Sequence, residues 1–515
     1  MASKEIKFGH EARLKIKAGI DKACDAVRPT LGVVGMSAII EFKGLDPIEC
    51  DDGVTILKNL EFKDPYEQIG LQKLRKAALR TSSEGGDGTA TTTVLTQALI
   101  TEAFKEIAND SSNIREVKER LFKGLEETLT ELSKIKREVK EEDIEKIATI
   151  SSLDTEVAKL IAETIKEVGI NGVITVEKGS KIGYTKEVVK GARFDKGLIS
   201  PYFINEPSTQ STVLNEPYIV LVDRTISTNE QILSLLNSIG TGNDILFIAD
   251  DITSVALGTL AQNAVSKIAN IACVRNPYSA SRAKDFLADI ASLTGATIIS
   301  EERGMKLDQM KSDVCGRAEK VIVTKDNTTI IGGKPSEALE SRIKTIQDEI
   351  DGTTSEYSKL MLEERLACLT GGIGVIRVGA YTDTEFNAKK YKFENAINAT
   401  QAALQEGIVA GGGIALYTVA LSVNEPIFAK TLYAPFNQMM LNASIKPEEG
   451  YRLLTHPTNT GIDFKSGKMV DMFDAGIIDP FKVTRIALES ATAIACSLIV
   501  IEAAIVEEEV KDESK

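Results

Sequence analysis

Apolar residues recur every three or four positions through 114–132, at Ile114, Val117, Leu121, Leu125, Leu129 and Leu132. That spacing gathers them on one face and predicts an amphipathic helix. Residues 134–146 are highly charged and predict a surface connection. A second amphipathic helix is predicted over 156–168, followed by a short strand at 172–177. From residue 218 the pattern changes. Tyr218–Val222, Ile245–Ala249, Ile271–Val274 and Thr297–Ser300 are short β-branched runs, separated by helical segments near 229–238, 254–268 and 281–294. This alternation predicts a doubly wound α/β domain. Beyond it, two helices joined near Gly352 are predicted over 336–369, with further helices at 393–405 and 483–505. The first and last thirds of the chain are mainly helical.

Composition narrows the possibilities. At 515 residues the chain suits two to four domains. Its net charge of −14 argues against a general nucleic-acid binder. The best apolar run, 493–506, is interrupted by Glu502 and reads as a buried helix, so no membrane span is expected. Six cysteines without a Cys-x-x-Cys pair, and an N-terminus without a signal-like apolar core, predict a cytoplasmic protein. With only His10 and His456, a zinc site or a Ser-His-Asp triad is not expected. The α/β block lacks a Gly-x-Gly-x-x-Gly after its first strand, which argues against a dinucleotide enzyme there.

The densest chemistry lies at 86–95, Gly-Asp-Gly-Thr-Ala-Thr-Thr-Thr-Val-Leu. A glycine turn that opens a helix presents bare backbone N–H groups, which bind anions. Asp87 suits Mg²⁺, which takes carboxylate and phosphate oxygens. Thr89, Thr91 and Thr92 offer hydroxyls. Taken alone, the segment reads equally well as a polar turn with an Asp cap. Further turns stand at 30–35 (Thr-Leu-Gly-Val-Val-Gly), 51–53 (Asp-Asp-Gly), 407–413 (Gly-Ile-Val-Ala-Gly-Gly-Gly) and 476–480 (Gly-Ile-Ile-Asp-Pro). They flank the α/β block on both sides, so a single phosphate site requires both chain ends to fold together around an inserted middle domain.

In this order the motifs resemble those of the group I chaperonins, the GroEL family. Further matches are Ser-Pro-Tyr-Phe-Ile-Asn at 200–205, Ile-Ser-Glu-Glu at 299–302 and Asp-Pro-Phe-Lys-Val-Thr-Arg at 479–485, and the likeness runs from about residue 4 to residue 506. The resemblance implies a multi-domain α/β protein. Its mainly helical equatorial domain would take residues 1–134 and 407–515. A small intermediate domain would take 135–189 and 374–406, and an α/β apical domain 190–373. It implies ATP and Mg²⁺ as ligands. Thr30, Leu31 and Gly32 would face the phosphates and nucleoside, and Asp87, Gly88, Thr89, Ala90 and Thr91 the metal and phosphates. Gly412 and Asp479 would face the ribose, and Asp463 the adenine edge.

The departures from the family pattern bear on activity. Asp51 stands where the family has a lysine beside the phosphates, and Ala90 where it has a threonine. Asp463, Phe464 and Lys465 replace Asn-Ala-Ala. Above all, Asn395 in Phe-Glu-Asn-Ala-Ile replaces the aspartate that activates the attacking water. An amide orients water but does not accept its proton at neutral pH. Asp52 remains as a catalytic carboxylate, and slow hydrolysis is expected.

The resemblance also implies unfolded polypeptide clients, held on Leu198, Tyr202, Phe203, Leu233, Leu236 and Leu257. It implies a homo-oligomeric ring of seven subunits and a co-chaperonin partner. Ala261 and Gln262, in place of Val-Val, argue against co-chaperonin docking. Asn437 and Lys446, in place of Arg and Glu, predict weak or absent pairing of rings, unless Phe436 and Met440 rebuild that contact. Two functions follow: an ATP-driven folding chamber, or a holdase that binds ATP but scarcely turns it over.

Overall fold

The computed structural model describes residues 4–507 apart from 42–46, 110–112, 170–171, 180–181, 208, 279–280, 301, 303, 335–337, 354–361, 363–364, 367–368, 371 and 454–458. Two compact units emerge. One is built from both chain ends, residues 1–163 and 382–515, and the other from 164–381.

The two-ended unit is helical. Its Ile114–Ile135 helix buries Val117, Leu121, Gly124, Thr128 and Leu132, the face that the apolar spacing predicts, and Asn113 caps it by accepting from the Arg115 N–H at 3.0 Å. The Pro65–Gly85 helix starts with Asp64 accepting from Tyr66 N at 2.9 Å and Glu67 N at 3.3 Å, with Pro65 in its first turn. The Phe481–Ile499 helix is buried almost all round and packs against the Pro65–Gly85 and Thr89–Asn109 helices, forming the centre of the unit's main core.

Three expectations change here. The 483–505 helix stops at Ile499, and Ala503–Glu507 is a strand antiparallel to Lys4–Phe8, with Lys4 opposite Glu507. Arg13 explains the stop: its Nη1 donates to Ile499 O at 3.1 Å and Glu502 Oε1 at 3.2 Å, satisfying a carbonyl the helix end leaves free. Beyond it, buried Ala504 and Val506 alternate with exposed Ile505, as a half-buried strand requires. The charged stretch 134–146 is not purely a connection, because Glu141, Glu142 and Asp143 open a helix, Glu141–Ser152, whose positive N-terminal end favours acids. The helix expected at 393–405 begins earlier and spans Asp383–Glu406, capped by Thr382.

The middle unit holds the doubly wound domain. Parallel strands run in the order Ile298–Ile299, Tyr218–Ile226, Asp244–Ile252, Asn270–Arg275. Their side chains alternate between two cores. Ile219, Leu221, Leu246 and Ile248 meet the Ser281–Thr294 helix on one face, while Val220, Val222, Ile245 and Phe247 meet the Glu230–Ile239 and Ser254–Val265 helices on the other. A second, mixed sheet of six strands includes Val173–Lys178, which pairs in parallel with Gly372–Gly379. The first helix of the pair expected over 336–369 is Ala338–Gly352; most of the second lies outside the described residues. No helix among the described residues is long and apolar enough to cross a membrane.

Candidate functional site

The phosphate motifs all fall in the two-ended unit. Gly86, Asp87 and Gly88 form the turn between the Pro65–Gly85 and Thr89–Asn109 helices. Gly86 and Gly88 have φ of +85° and +91°, a region that L side chains avoid, and a Cβ on Gly88 would lie 2.6 Å from Val483 Cγ1. The turn therefore requires glycine at both positions and holds Asp87 between them.

Asp87 is exposed at the tip of this turn. Solvent reaches its side chain, while the surrounding protein and then the charge of Asp52 push its pKa up, against the Gly88 N–H that donates to Oδ1 at 2.6 Å. Asp52 caps the Gly53–Asn59 helix. Its carboxylate accepts from Val54 N at 3.2 Å, Thr55 N at 2.8 Å and Thr55 Oγ1 at 2.6 Å, which fixes its orientation. Asp479 is placed by antiparallel pairing of Ile408–Ala410 with Ile478–Pro480, Val409 lying opposite Asp479. Burial and then the Asp87 charge push Asp479 up to about 7. The same strand pair leads into the Gly411–Gly413 turn, where Gly411 N donates to Ile477 O at 2.9 Å. Asp87 thus feels the charge of Asp52, and Asp479 that of Asp87, from distant parts of the chain.

The other expected residues divide. Thr92 is not available as a ligand: it is fully buried, and its hydroxyl lies 2.9 Å from Gly88 O, to which it donates, and 3.0 Å from the Thr81 hydroxyl, from which it accepts. Thr91 is half-buried and its hydroxyl has no partner among the described residues. Thr30 Oγ1 donates to Val27 O at 2.8 Å, and Asn442 Nδ2 donates to Leu31 O at 2.8 Å, so the 28–31 turn is clamped from two sides. Leu31 joins one apolar cluster with Phe464, Met472 and Ile478, and Gly412 sits beside Met472 and Phe464. Asp463 closes the turn between Thr460–Asp463 and Lys468–Asp471, accepting from Lys465 N at 3.0 Å and Ser466 Oγ at 2.6 Å. Asp51 and Gly32 are exposed, and Ala90 is half-buried.

Asn395 lies on the Asp383–Glu406 helix, which meets the Gly86 turn through Asn398. Phe393, Ala396, Ile397 and Thr400 bury one side of that helix, and Arg485 anchors its end by donating to both Glu406 oxygens at 3.0 and 2.6 Å. The opposite side carries Tyr391, Asn395 and Asn398, at i, i+4 and i+7. Asn398 sits on Gly86, and Tyr391 senses the Asp52 charge. Asn395 lies between them, half-buried, with no partner for its amide among the described residues. Sequence motifs gave no hint of Tyr391 or Asn398; only the helical repeat from Asn395 points to them.

Among the described residues no group of three His, Cys, Asp or Glu side chains is spaced to chelate a metal. A single carboxylate, Asp87, beside backbone N–H groups suits a cation that brings phosphate and water oxygens with it.

The expected client residues lie in the middle unit. Tyr202 is 69% exposed and Leu233 45%, whereas Leu198, Leu236 and Leu257 are partly buried against the core. Phe203 must be withdrawn: at 2% exposure it is a core residue beneath Tyr202, in the short Pro201–Phe203 turn packed against the Ser254–Val265 helix. Val255 (62%) and Val265 (60%) on that helix extend the exposed apolar set. Phe436 and Met440 are fully buried, so they cannot rebuild a contact between rings, while half-buried Asn437 accepts from the Tyr451 hydroxyl.

Residues 24–509 match the model of the TCP-1/cpn60 chaperonin family. The chain belongs to that family and is a divergent member of it. Its fold is that of the chaperonin gp146 from the bacteriophage EL 2 (Pseudomonas aeruginosa), solved in presence of ATP-BeFx in two crystal forms. The TM-scores are 0.72 for form II and 0.65 for form I, each at 20% identity and covering 98% of this chain and 99% of that chain.

Proposed function

We propose that this chaperonin is driven by ATP, and that its hydrolysis is slow. The observation that carries the reading is the helix face bearing Tyr391, Asn395 and Asn398: Asn398 is seated on Gly86, and Tyr391 senses the Asp52 charge. Backbone N–H groups in the first turn of the Thr89–Asn109 helix and the Thr91 hydroxyl take the phosphates. Asp479 accepts from the ribose hydroxyls, and the Leu31, Phe464 and Met472 cluster backs the nucleoside. Mg²⁺, held through Asp87 and phosphate oxygens, would neutralise phosphate charge. Asp52 accepts the proton of the attacking water, while Asn395 orients that water without taking its proton.

The family's three-part division, 1–134 with 407–515, 135–189 with 374–406, and 190–373, is the reading we adopt for the domains. Unfolded polypeptides bind the apical apolar face through Tyr202, Leu233 and their partly buried neighbours, because non-directional burial accepts many sequences. The subunits form a seven-membered homo-oligomeric ring in the cytoplasm. The loss of acid–base partners at Asn437 and Lys446 weakens pairing of rings.

The amide at 395 also favours a second reading, a holdase that binds clients and ATP with hardly any turnover. Titration of a fluorescent ATP analogue, alongside phosphate release with and without denatured client, separates the two. Binding with measurable, client-sensitive release supports the chamber; binding without release supports the holdase. Asp87→Ala is expected to abolish release, and full activity in that variant would contradict the site assignment.

A further inference from the structure

Tyr391 has no part in the motifs, yet it projects from the helix side that meets the nucleotide turn. It stands one turn before Asn395 and two before Asn398, the residue in contact with Gly86. The opposite side of the helix packs into the core through Phe393, Ala396 and Thr400, all fully buried, which leaves this side facing the turn. Tyr391 is 50% exposed, and its hydroxyl has no hydrogen-bond partner among the described residues. Burial, Glu394 and Asp52 all raise its pKa, so the phenol stays protonated and is a donor at neutral pH.

We infer that Tyr391 is a positioning residue for ATP hydrolysis: its phenol O–H holds the attacking water beside Asp52, and Asn395 holds the same water from the next helical turn. The inference rests on the functional reading above. In the step itself the water oxygen bonds to the γ-phosphorus, and the bond from that phosphorus to the β,γ-bridging oxygen breaks. ADP leaves with the electron pair, and the water proton passes to Asp52. Tyr391 keeps its proton throughout and contributes orientation only. A donor here would partly offset the lost carboxylate at 395, since an oriented water needs less reorganisation to attack.

The test is Tyr391→Phe in the full-length assembly, which keeps the ring and removes only the hydroxyl. Single-turnover phosphate release is expected to fall about tenfold, the loss of roughly one net hydrogen bond. The dissociation constant for the fluorescent ATP analogue and the thermal midpoint are expected to hold, which a merely structural role would not give. An unchanged rate, with binding and turnover intact in the parent, overturns this inference alone. A parent protein that does not bind nucleotide overturns the functional reading and this one with it. Combined with Asn395→Asp, the Tyr391→Phe loss is expected to shrink, because both groups act on one water; a fully additive loss would contradict the shared water.

Discussion

Asn398 rests directly on Gly86: a Cβ at residue 86 would lie 2.2 Å from the Asn398 Cβ. The contact ties the Asp383–Glu406 helix to the turn that carries Asp87, so whatever Asn395 does to a nucleotide depends on it. Gly86→Ala would force this contact apart and place a methyl-bearing residue at φ +85°. The strain alone costs on the order of 1–3 kcal/mol. The expected result is a lower thermal midpoint and loss of nucleotide affinity, read by calorimetry and by fluorescent-nucleotide titration. Wild-type values for both would mean the helix is not seated on this turn.

Asp479 provides a pH test. Its pKa in the folded protein is about 7, against about 3.9 in an unfolded chain. The folded state therefore binds the extra proton between these values. Its stabilising effect is full below about pH 4 and is lost as pH rises through 7. Asp479→Asn removes that dependence. In urea unfolding with EDTA and no nucleotide, the variant is expected to gain on the parent between pH 5 and pH 8. A constant difference across that range would show that Asp479 is not held protonated. The same variant is expected to bind nucleotide less well.

Client capture is assigned to side chains that solvent reaches. Tyr202→Ser with Leu233→Ser is expected to abolish binding of a denatured protein, monitored by suppression of its aggregation, while nucleotide affinity is retained. Val255→Ser added to the pair removes a third exposed apolar group on the neighbouring helix. Undiminished capture in the triple variant would place the client site elsewhere.

Much of this was legible in the sequence, for reasons that particular residues make plain. Gly86, Asp87 and Gly88 stand out because a turn with two positive-φ positions tolerates little but glycine, and Ile114 to Leu132 because a long helix repeats its apolar face. The alternation from Tyr218 onward exposed the α/β block in the same way. The strand Ala503–Glu507 was hidden: it has only two inward residues, Ala504 and Val506, and follows an apolar helix without a proline or glycine to mark the change. Tyr202 and Phe203 are adjacent aromatics, and only the short turn that carries them decides which is exposed and which is core. Thr92 carries the same hydroxyl as Thr91, but helix geometry turns it inward to Gly88 O and Thr81. Asp479 and Asp87 are 392 positions apart in sequence, and no local pattern announces that one raises the pKa of the other.

The central claim is that an amide at 395 slows a working ATPase site. It is tested most directly by steady-state phosphate release from the parent and from Asn395→Asp at saturating Mg-ATP, measured side by side. Restoring a positioned general base contributes on the order of 10²–10⁴-fold where proton transfer limits the rate, and an Asp51 charge facing the phosphates, as the proposed site has it, would reduce that gain. The account predicts slow release from the parent and release at least about tenfold faster from the variant, at equal nucleotide affinity. Equal rates in the two proteins, with nucleotide bound equally well, would contradict it.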